Sequence, residues 1–505
     1  MGLAAAATRV LALTLITGCG RSGLYFPPPE LRSCVEDPSS SLGCSFLVGP
    51  GLHVVDSVFE TAGMDPSERE PDGVFVVNPD RDQIVTIQAF EIPAGDTEAR
   101  PLGDPLALPP GESGLVQLPL NADRSTTERR AGGLVHLHAD APFAASVHGP
   151  YRPFLGNDSS LLLPDAKLGR RYVVAAYPPH FLHFQGAGEP SFFEVIALED
   201  ATRVRWRPRL TRTVAATDQI PAVDAGQWSP QIILDRHETL LVTASALVGS
   251  EHEQRDISGT LIESSSPVRV TGGSRCSAVP ITFEPLGGCD PLYEQLVPVE
   301  AWGRTYVIAH PPLRTDEDHH VRIYAGASNI TLKTEPPVLP TEPYVLAEEG
   351  AFIDVVVDHG TSFVLTADGP VMPVGYLQTR NPDLQIGDPA MYQFVSAEQY
   401  LDRYVIATGT QWEAYLVQVV RRRGTTEIEL DGGEVLDGWE PIGAWEVASV
   451  SISEGAHTLR SDEPFGVIQF GWNNSRHDAC IPFAVRGSCQ TSYAHPGGMG
   501  TTLLQ

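Results

Sequence analysis

Lysine is nearly missing from this chain. Only Lys167 and Lys333 occur in 505 residues, and the other basic side chains are arginines. Acids outnumber bases, 63 to 34, which leaves a net charge of −29. A surface this acidic is repelled by phosphate backbones, so nucleic acid is not an expected partner. Catalytic signatures are also missing. No Gly-x-Ser-x-Gly elbow occurs, and neither His237-Glu238 nor His252-Glu253 is followed by the second histidine of a zincin. No glycine-rich phosphate loop leads from a strand into a helix. Among 63 carboxylates no pair stands out as a glycosidase pair. No cofactor is expected, and the chain reads as a non-enzyme. Sustained helical periodicity is absent, and so is any apolar run long enough to span a bilayer as a helix.

What is present is a phrase. Ala141-Pro142-Phe143, Ser266-Pro267-Val268, Gly369-Pro370-Val371 and Glu463-Pro464-Phe465 each lead through an apolar run to a glycine: Gly149, Gly272, Gly375 and Gly471. An acid or serine stands two residues before each proline (Asp140, Ser265, Asp368, Asp462), in keeping with a turn. The proline is expected at a strand start, where it does not harm a ladder. The later copies open on Tyr172-Val173, Tyr306-Val307 and Tyr404-Val405. Thr426-Glu427-Ile428-Glu429-Leu430 alternates strictly, the pattern of a strand with one wet face. A span near a hundred residues with six or seven strands fits a β-sandwich and is too long for a propeller blade. The expected fold is all-β: tandem antiparallel β-sandwich modules, four related repeats, in an elongated or compact array. The expected bounds are 44–165, 166–300, 301–390 and 391–505. Two blocks, Asn157 to Pro164 and Pro280 to Trp302, read as less strand-like connectors.

The amino terminus reads as an export signal. Arg9 precedes the apolar run Val10 to Ile16, and Ile16-Thr17-Gly18-Cys19 resembles the bacterial lipobox. That resemblance implies cleavage after residue 18 and a lipid on Cys19, anchoring the chain to a bacterial outer membrane or cell surface. Residues 19–43 would then be a tether, with Pro27-Pro28-Pro29 within it. The six other cysteines fall in local pairs: Cys34/Cys44, Cys276/Cys289 and Cys480/Cys489. An even remainder in an exported chain reads as disulfides. Connectivity is not fixed by sequence, and neighbour pairing is the simplest choice. Such a bridge adds about 2–3 kcal/mol for a loop near ten residues, so it pins loops and does not hold domains together.

Two clusters are candidate sites. Asp316-Glu317-Asp318-His319-His320 offers metal-like ligands, with Asp316, Asp318 and His319 the best placed. Adjacent strand residues point oppositely, so a solvated acidic turn is the favoured reading. His180, Phe181 and His183 form an aromatic loop that either anchors a ligand or packs on a neighbouring module. Asn78-Pro79-Asp80-Arg81-Asp82 reads as a turn, and Arg421-Arg422-Arg423 as the approach to a hairpin turn at Gly424.

At the connectors the chain resembles a known family. Asn157 to Pro164 with Leu168-Gly169 and Tyr172-Val173-Val174 is similar to the N-terminal domain family of IgGFc-binding protein, seen in bacterial lipoproteins of the myxobacterial type. So is Gly272 to Cys276 with Cys289-Asp290, Glu294-Gln295-Leu296 and Trp302-Gly303. The resemblance implies extracellular β modules and explains Cys276/Cys289 as a family disulfide. It carries over no Fc-contacting residue. The expected function is a cell-envelope lipoprotein acting as a non-catalytic binding or adhesion module for an extracellular protein or glycan. The alternatives are a scaffold or matrix component without a discrete ligand, and a polysaccharide-active enzyme.

Overall fold

A computed structural model describes residues 34–49, 71–119, 124, 126–152, 156–179, 190–217, 219–244, 255–281, 290–312, 314, 316–379, 387–473 and 491–504. Among these the chain is all-β, with several antiparallel sheets and no α-helix. The recurring proline is the organising residue, and it does not sit where sequence placed it. Pro142, Pro267 and Pro464 lie in the middle of long strands, Leu134–Gly149, Leu261–Ser277 and Ala456–Trp472. Each long strand belongs to two sheets. Leu134 to Ala139 pairs with Val85–Ile92, whereas Ala144 to His148 pairs with Gly73–Val77. The switch falls between them, at the proline. Leu261–Ser277 and Ala456–Trp472 change partners in the same place. At Pro370 the strand is broken outright into Phe363–Ala367 and Val371–Tyr376, which serve two separate four-stranded sheets. Proline has no N–H to donate, so a residue that leaves one ladder and joins another is a place it can occupy.

A tyrosine clamps three of the four corners. Gly169 pairs with Val268, and three residues on, the Tyr172 hydroxyl accepts the Gly169 N–H (2.8 Å) and donates to the Val268 carbonyl (2.7 Å). Tyr306 bonds Gly303 and Val371 in the same way, and Tyr404 bonds Leu401 and Phe465. The tyrosine that opens the strand and the residue after the proline are thus one device. Phe46 stands in this place in the first sandwich and has no hydroxyl; it packs on Phe143 with ring centroids 4.7 Å apart. Tyr404→Phe therefore removes a buried acceptor and a buried donor at once. It is expected to cost about 1–3 kcal/mol in denaturant unfolding, with the fold retained.

Both connectors contain strands. Asp158–Leu161 and Asp290–Gln295 add to the second half of the preceding long strand, as Met391–Gln393 and Ser492–Pro496 do further on. Met391–Gln393 thereby goes with the strands before it, although the expected boundary at 390 separates them. Glu128–Ala131 crosses in the opposite sense: it extends the sheet of the following sandwich by pairing with Glu238–Thr243. Short 3-10 turns, Asp165–Lys167, Val299–Ala301 and Ala397–Gln399, then lead into the next opening strand. The apolar-rich stretch from Ile232 to Thr243 is split into two strands by the turn ending at His237, which has a φ of 64°.

The four added strands meet one another. Asp158–Leu161 touches Asp290–Gln295 and Ser492–Pro496, and Met391–Gln393 touches all three of the others. Asp158 bonds Tyr293 and Met391, and further along Ser160 and Gln393 both bond Glu294, so these three strands run in the same direction about one axis. The sandwiches close around them as a ring. Phe75 and Val77 of the first pack on Val405 and Ala407 of the last. The array is thus compact, not elongated.

Candidate functional site

The same loops emerge at one end of every sandwich. In the Pro267 sandwich, the Val174 N–H donates to the Thr260 carbonyl (2.8 Å), and the hydroxyls of Ser191 and Ser277 donate to the carbonyls of Arg255 and Pro178. The loops after the opening strand, before the long strand and before the inner strand therefore share that end. Equivalent bonds join Tyr151 to Pro71, His310 to Ser362 and Asn473 to Thr491. All four inner strands start at this end. The described ends of these loops thus lie at one face of the ring, with the axis at its centre.

The base of that face is polar and buried. Asp158 is fully buried. Its carboxylate accepts the backbone N–H groups of Ser159 (2.9 Å), Tyr293 (3.0 Å) and Met391 (3.3 Å), which tie three inner strands together. Burial nevertheless holds its carboxyl well above the ordinary carboxylate range. Asp388 and Asp290 share a side-chain hydrogen bond, and burial raises both, Asp388 well above its usual value. The Ser492 N–H donates to Asp388 (3.0 Å), and the Arg314 guanidinium donates to the carbonyls of Asp388 (2.7 Å) and Gln378 (2.8 Å).

Deeper along the axis, Glu294 accepts from the Ser160 hydroxyl (2.7 Å) and the Gln393 amide (3.2 Å) through one oxygen. Its other oxygen has no hydrogen-bond partner. It lines a cavity of about 10 Å³, closed by Leu161, Leu163, Val297, Val395 and Met499, with room for one water-sized molecule. Burial pushes the Glu294 carboxyl well above 4.5. The sign follows: the folded state holds this proton more tightly than the unfolded chain. Stability from the protonated form is complete below pH 4.5 and is lost as pH rises toward the folded value. Glu294→Gln cannot ionise. Its stability relative to the parent is expected to climb by about 1.4 kcal/mol per pH unit above pH 4.5, read from urea unfolding at several pH values.

The metal-like cluster is taken apart by the fold. Asp316 and Asp318 are exposed, Glu317 is buried against Arg314 (2.5 Å), and His319 is fully buried with its ring near Tyr392 and His310. The strand already begins at His319, so the two histidines belong to it and not to a turn. Among the described residues no group of three or more His, Cys, Asp or Glu could hold a metal ion. His180, Phe181 and His183 lie outside the described residues, as do Cys19, Cys289, Cys480 and Cys489. Cys34 is bonded to Cys44, and Cys276 is in a disulfide. The Asn78 turn forms as expected. A turn forms at Gly424 too, but it is not a hairpin: Ala414–Arg422 pairs with Trp445–Ser451 and Ala456–Trp472, not with Glu429–Leu430, and Arg421 bonds Glu446 (2.7 Å) and covers Trp439.

One cluster not foreseen from sequence has the composition of a hydrolytic triad. The Ser45 hydroxyl lies 3.0 Å from His136 Nε2, and Asp165 Oδ2 lies 2.6 Å from both. A working triad needs the carboxylate on one ring nitrogen and the hydroxyl on the other. Here both sit on Nε2, and the serine already donates to the aspartate. The cluster is a junction between the first two sandwiches, with Asp165 also accepting the Leu47 N–H.

The fold and this axis define a disulfide-bearing, all-β ring of antiparallel sandwiches. A family model described as IgGFc binding protein matches residues 158–471, and the chain belongs to that family. The match begins at the axial Asp158. The human IgGFc-binding protein is 25% identical over 250 residues, covering 48% of this chain and 4% of the human one. The large ribosomal subunit protein uL2 of Caldivirga maquilingensis is 25% identical over 164 residues, covering 32% of this chain and 55% of that protein. This chain thus spans only a small part of the human relative and about half of the ribosomal one.

Proposed function

We propose that this chain is an exported, lipid-anchored display protein that binds an extracellular protein ligand through its loop face, without catalysis. The observation that carries this reading is the opposition of the two ends of the ring. The loops of all the sandwiches share one face. Residues 39–41, which lead back to the amino terminus, lie at the other end, where the last inner strand finishes. A lipid on Cys19 would therefore hold the loops away from the membrane. A disulfide at Cys34–Cys44 suits an oxidising compartment. Four related modules, with the last boundary placed after Met391–Gln393, and a ligand of protein rather than glycan class, are part of this proposal. The family supports the ligand class through the immunoglobulin named in its description. The net charge of −29 weighs against an RNA role like that of the ribosomal relative.

Two experiments test the reading. Cys19→Ala is expected to release the protein from the membrane fraction and to remove the lipid mass; a variant that stays bound and unshifted contradicts the anchor. Purified chain immobilised through its amino-terminal segment is expected to capture immunoglobulin Fc or a surface protein, and blocking the loop face should abolish capture. Steady turnover of a polysaccharide, abolished by one carboxylate substitution, would overturn the non-catalytic reading.

A further inference from the structure

Three of the four junctions in the ring are crossed by the chain itself, through the turns at Asp165–Lys167, Val299–Ala301 and Ala397–Gln399. The fourth, between the last sandwich and the first, is not. The two chain ends lie in its place. Ser40 and Gly500 form an antiparallel bridge. The Ser41 N–H donates to the Met499 carbonyl (2.8 Å) and the Thr501 N–H to the Ser39 carbonyl (3.1 Å). Thr501 Oγ1 donates to the Ser40 carbonyl (3.0 Å), and the Met499 N–H to Ser41 Oγ (3.1 Å). The tail is held further by Gly500 N–H on the Gln399 carbonyl (2.7 Å) and Leu504 N–H on the Glu300 carbonyl (3.0 Å). On the other side the Cys34–Cys44 disulfide fixes the segment that contains residues 39–41 to the first strand.

Beside this contact, among the described residues, the seam holds an apolar patch of Phe75, Val77, Val405 and Ala407 with Leu115, Ala144, Tyr151 and Ala456 against it, and the inner strands Asp158–Leu161 and Ser492–Pro496 touch across it. Arg403 donates to the Pro79 carbonyl (2.6 Å), and His148 packs against Tyr493 and His495.

We propose that the two chain ends form a latch: segment 499–504 and segment 39–41 together replace the missing connector, and their separation opens the ring at this seam alone. Opening would part the first and last loop sets and so reshape the loop face. The disulfide keeps the amino-terminal half of the latch seated. Its reduction would loosen the latch without touching the other three junctions.

The test is thiol labelling of the full chain at two buried sites. Val405→Cys reports the seam, and Val364→Cys reports the junction beside Val420 and Trp445. Thr501→Pro removes two latch hydrogen bonds, and each bond is worth about a factor of ten in opening. Seam labelling is expected to rise roughly 10- to 100-fold in Thr501→Pro, in a chain ending at Gly498, and, less steeply, in the Cys34→Ser/Cys44→Ser pair. Labelling through Val364→Cys should not change, and Thr501→Ser should behave as the parent. Unchanged seam labelling in Thr501→Pro overturns the proposal. Equal acceleration at both sites also overturns it, because that is global unfolding. The shortened chain also loses the bonds to Gln399 and Glu300 at two other junctions, so the comparison of Thr501→Pro with Thr501→Ser decides alone.

Discussion

Replacing Arg322 with alanine is expected to lower the unfolding free energy by about 3–5 kcal/mol, the largest loss of any single side chain considered in this ring. Arg322 is buried at the junction of the Pro267 and Pro370 sandwiches. Its guanidinium donates to Asp256 (2.8 Å), Ser258 (2.9 Å) and the Ala176 carbonyl (3.2 Å) of one, and to Asp354 (2.6 Å) of the other. It also lies over the Phe352 ring, 4.2 Å from its centroid. The Asp354 contact contributes least, because that carboxylate is half-exposed and screened by water. The loss comes from Asp256, whose side chain is 3% exposed and would be left charged without its partner. Arg322→Ala/Asp256→Ala removes the stranded charge, so the double variant should recover part of the loss. Urea unfolding of the three variants measures this; a single-variant loss under about 1 kcal/mol would show that the pair is not holding the junction.

Removing the Asp158 carboxylate is the second large effect. Its oxygens accept three backbone N–H groups from three inner strands. In Asp158→Ala these donors stay buried with no acceptor, at about 1–3 kcal/mol each, partly offset because the carboxyl itself is costly to bury. A net loss of about 3 kcal/mol is expected, with amide exchange at Tyr293 and Met391 accelerated more than at strands far from the axis. Uniform acceleration would place the damage elsewhere.

The sequence showed the strands well and the axis poorly, for a physical reason. Alternation and β-branching mark strands with one wet face, and Thr426 to Leu430 announces itself in that way. The inner strands have no wet face. Asp158, Ser159, Ser160, Glu294 and Gln295 are polar, which reads as loop, yet all are buried, and Asp158, Ser160, Glu294 and Gln295 bond across the axis. Their partners lie more than a hundred residues away, and no local period reports such contacts. The proline phrase was legible as a repeat but not as a corner: an edge position and a sheet switch impose the same need, a missing N–H. The metal-like run is divided because Glu317, ahead of the strand, pairs with Arg314, while His319, the first strand residue, is buried near Tyr392 and His310. Residues 34–43, expected to be tether, are instead fixed by the disulfide and the carboxyl-terminal tail.

The presentation of all the loops on one face depends on the ring being closed, and amide exchange at the chain ends tests this most directly. Chain ends ordinarily fray and exchange at nearly the rate of free peptide. Closure predicts that the amides of Ser41, Gly500 and Thr501 exchange at least about a thousandfold more slowly than free peptide, close to the sheet amides of the flanking strands. Free-peptide rates at all three would mean that the ends do not meet and that the ring is open.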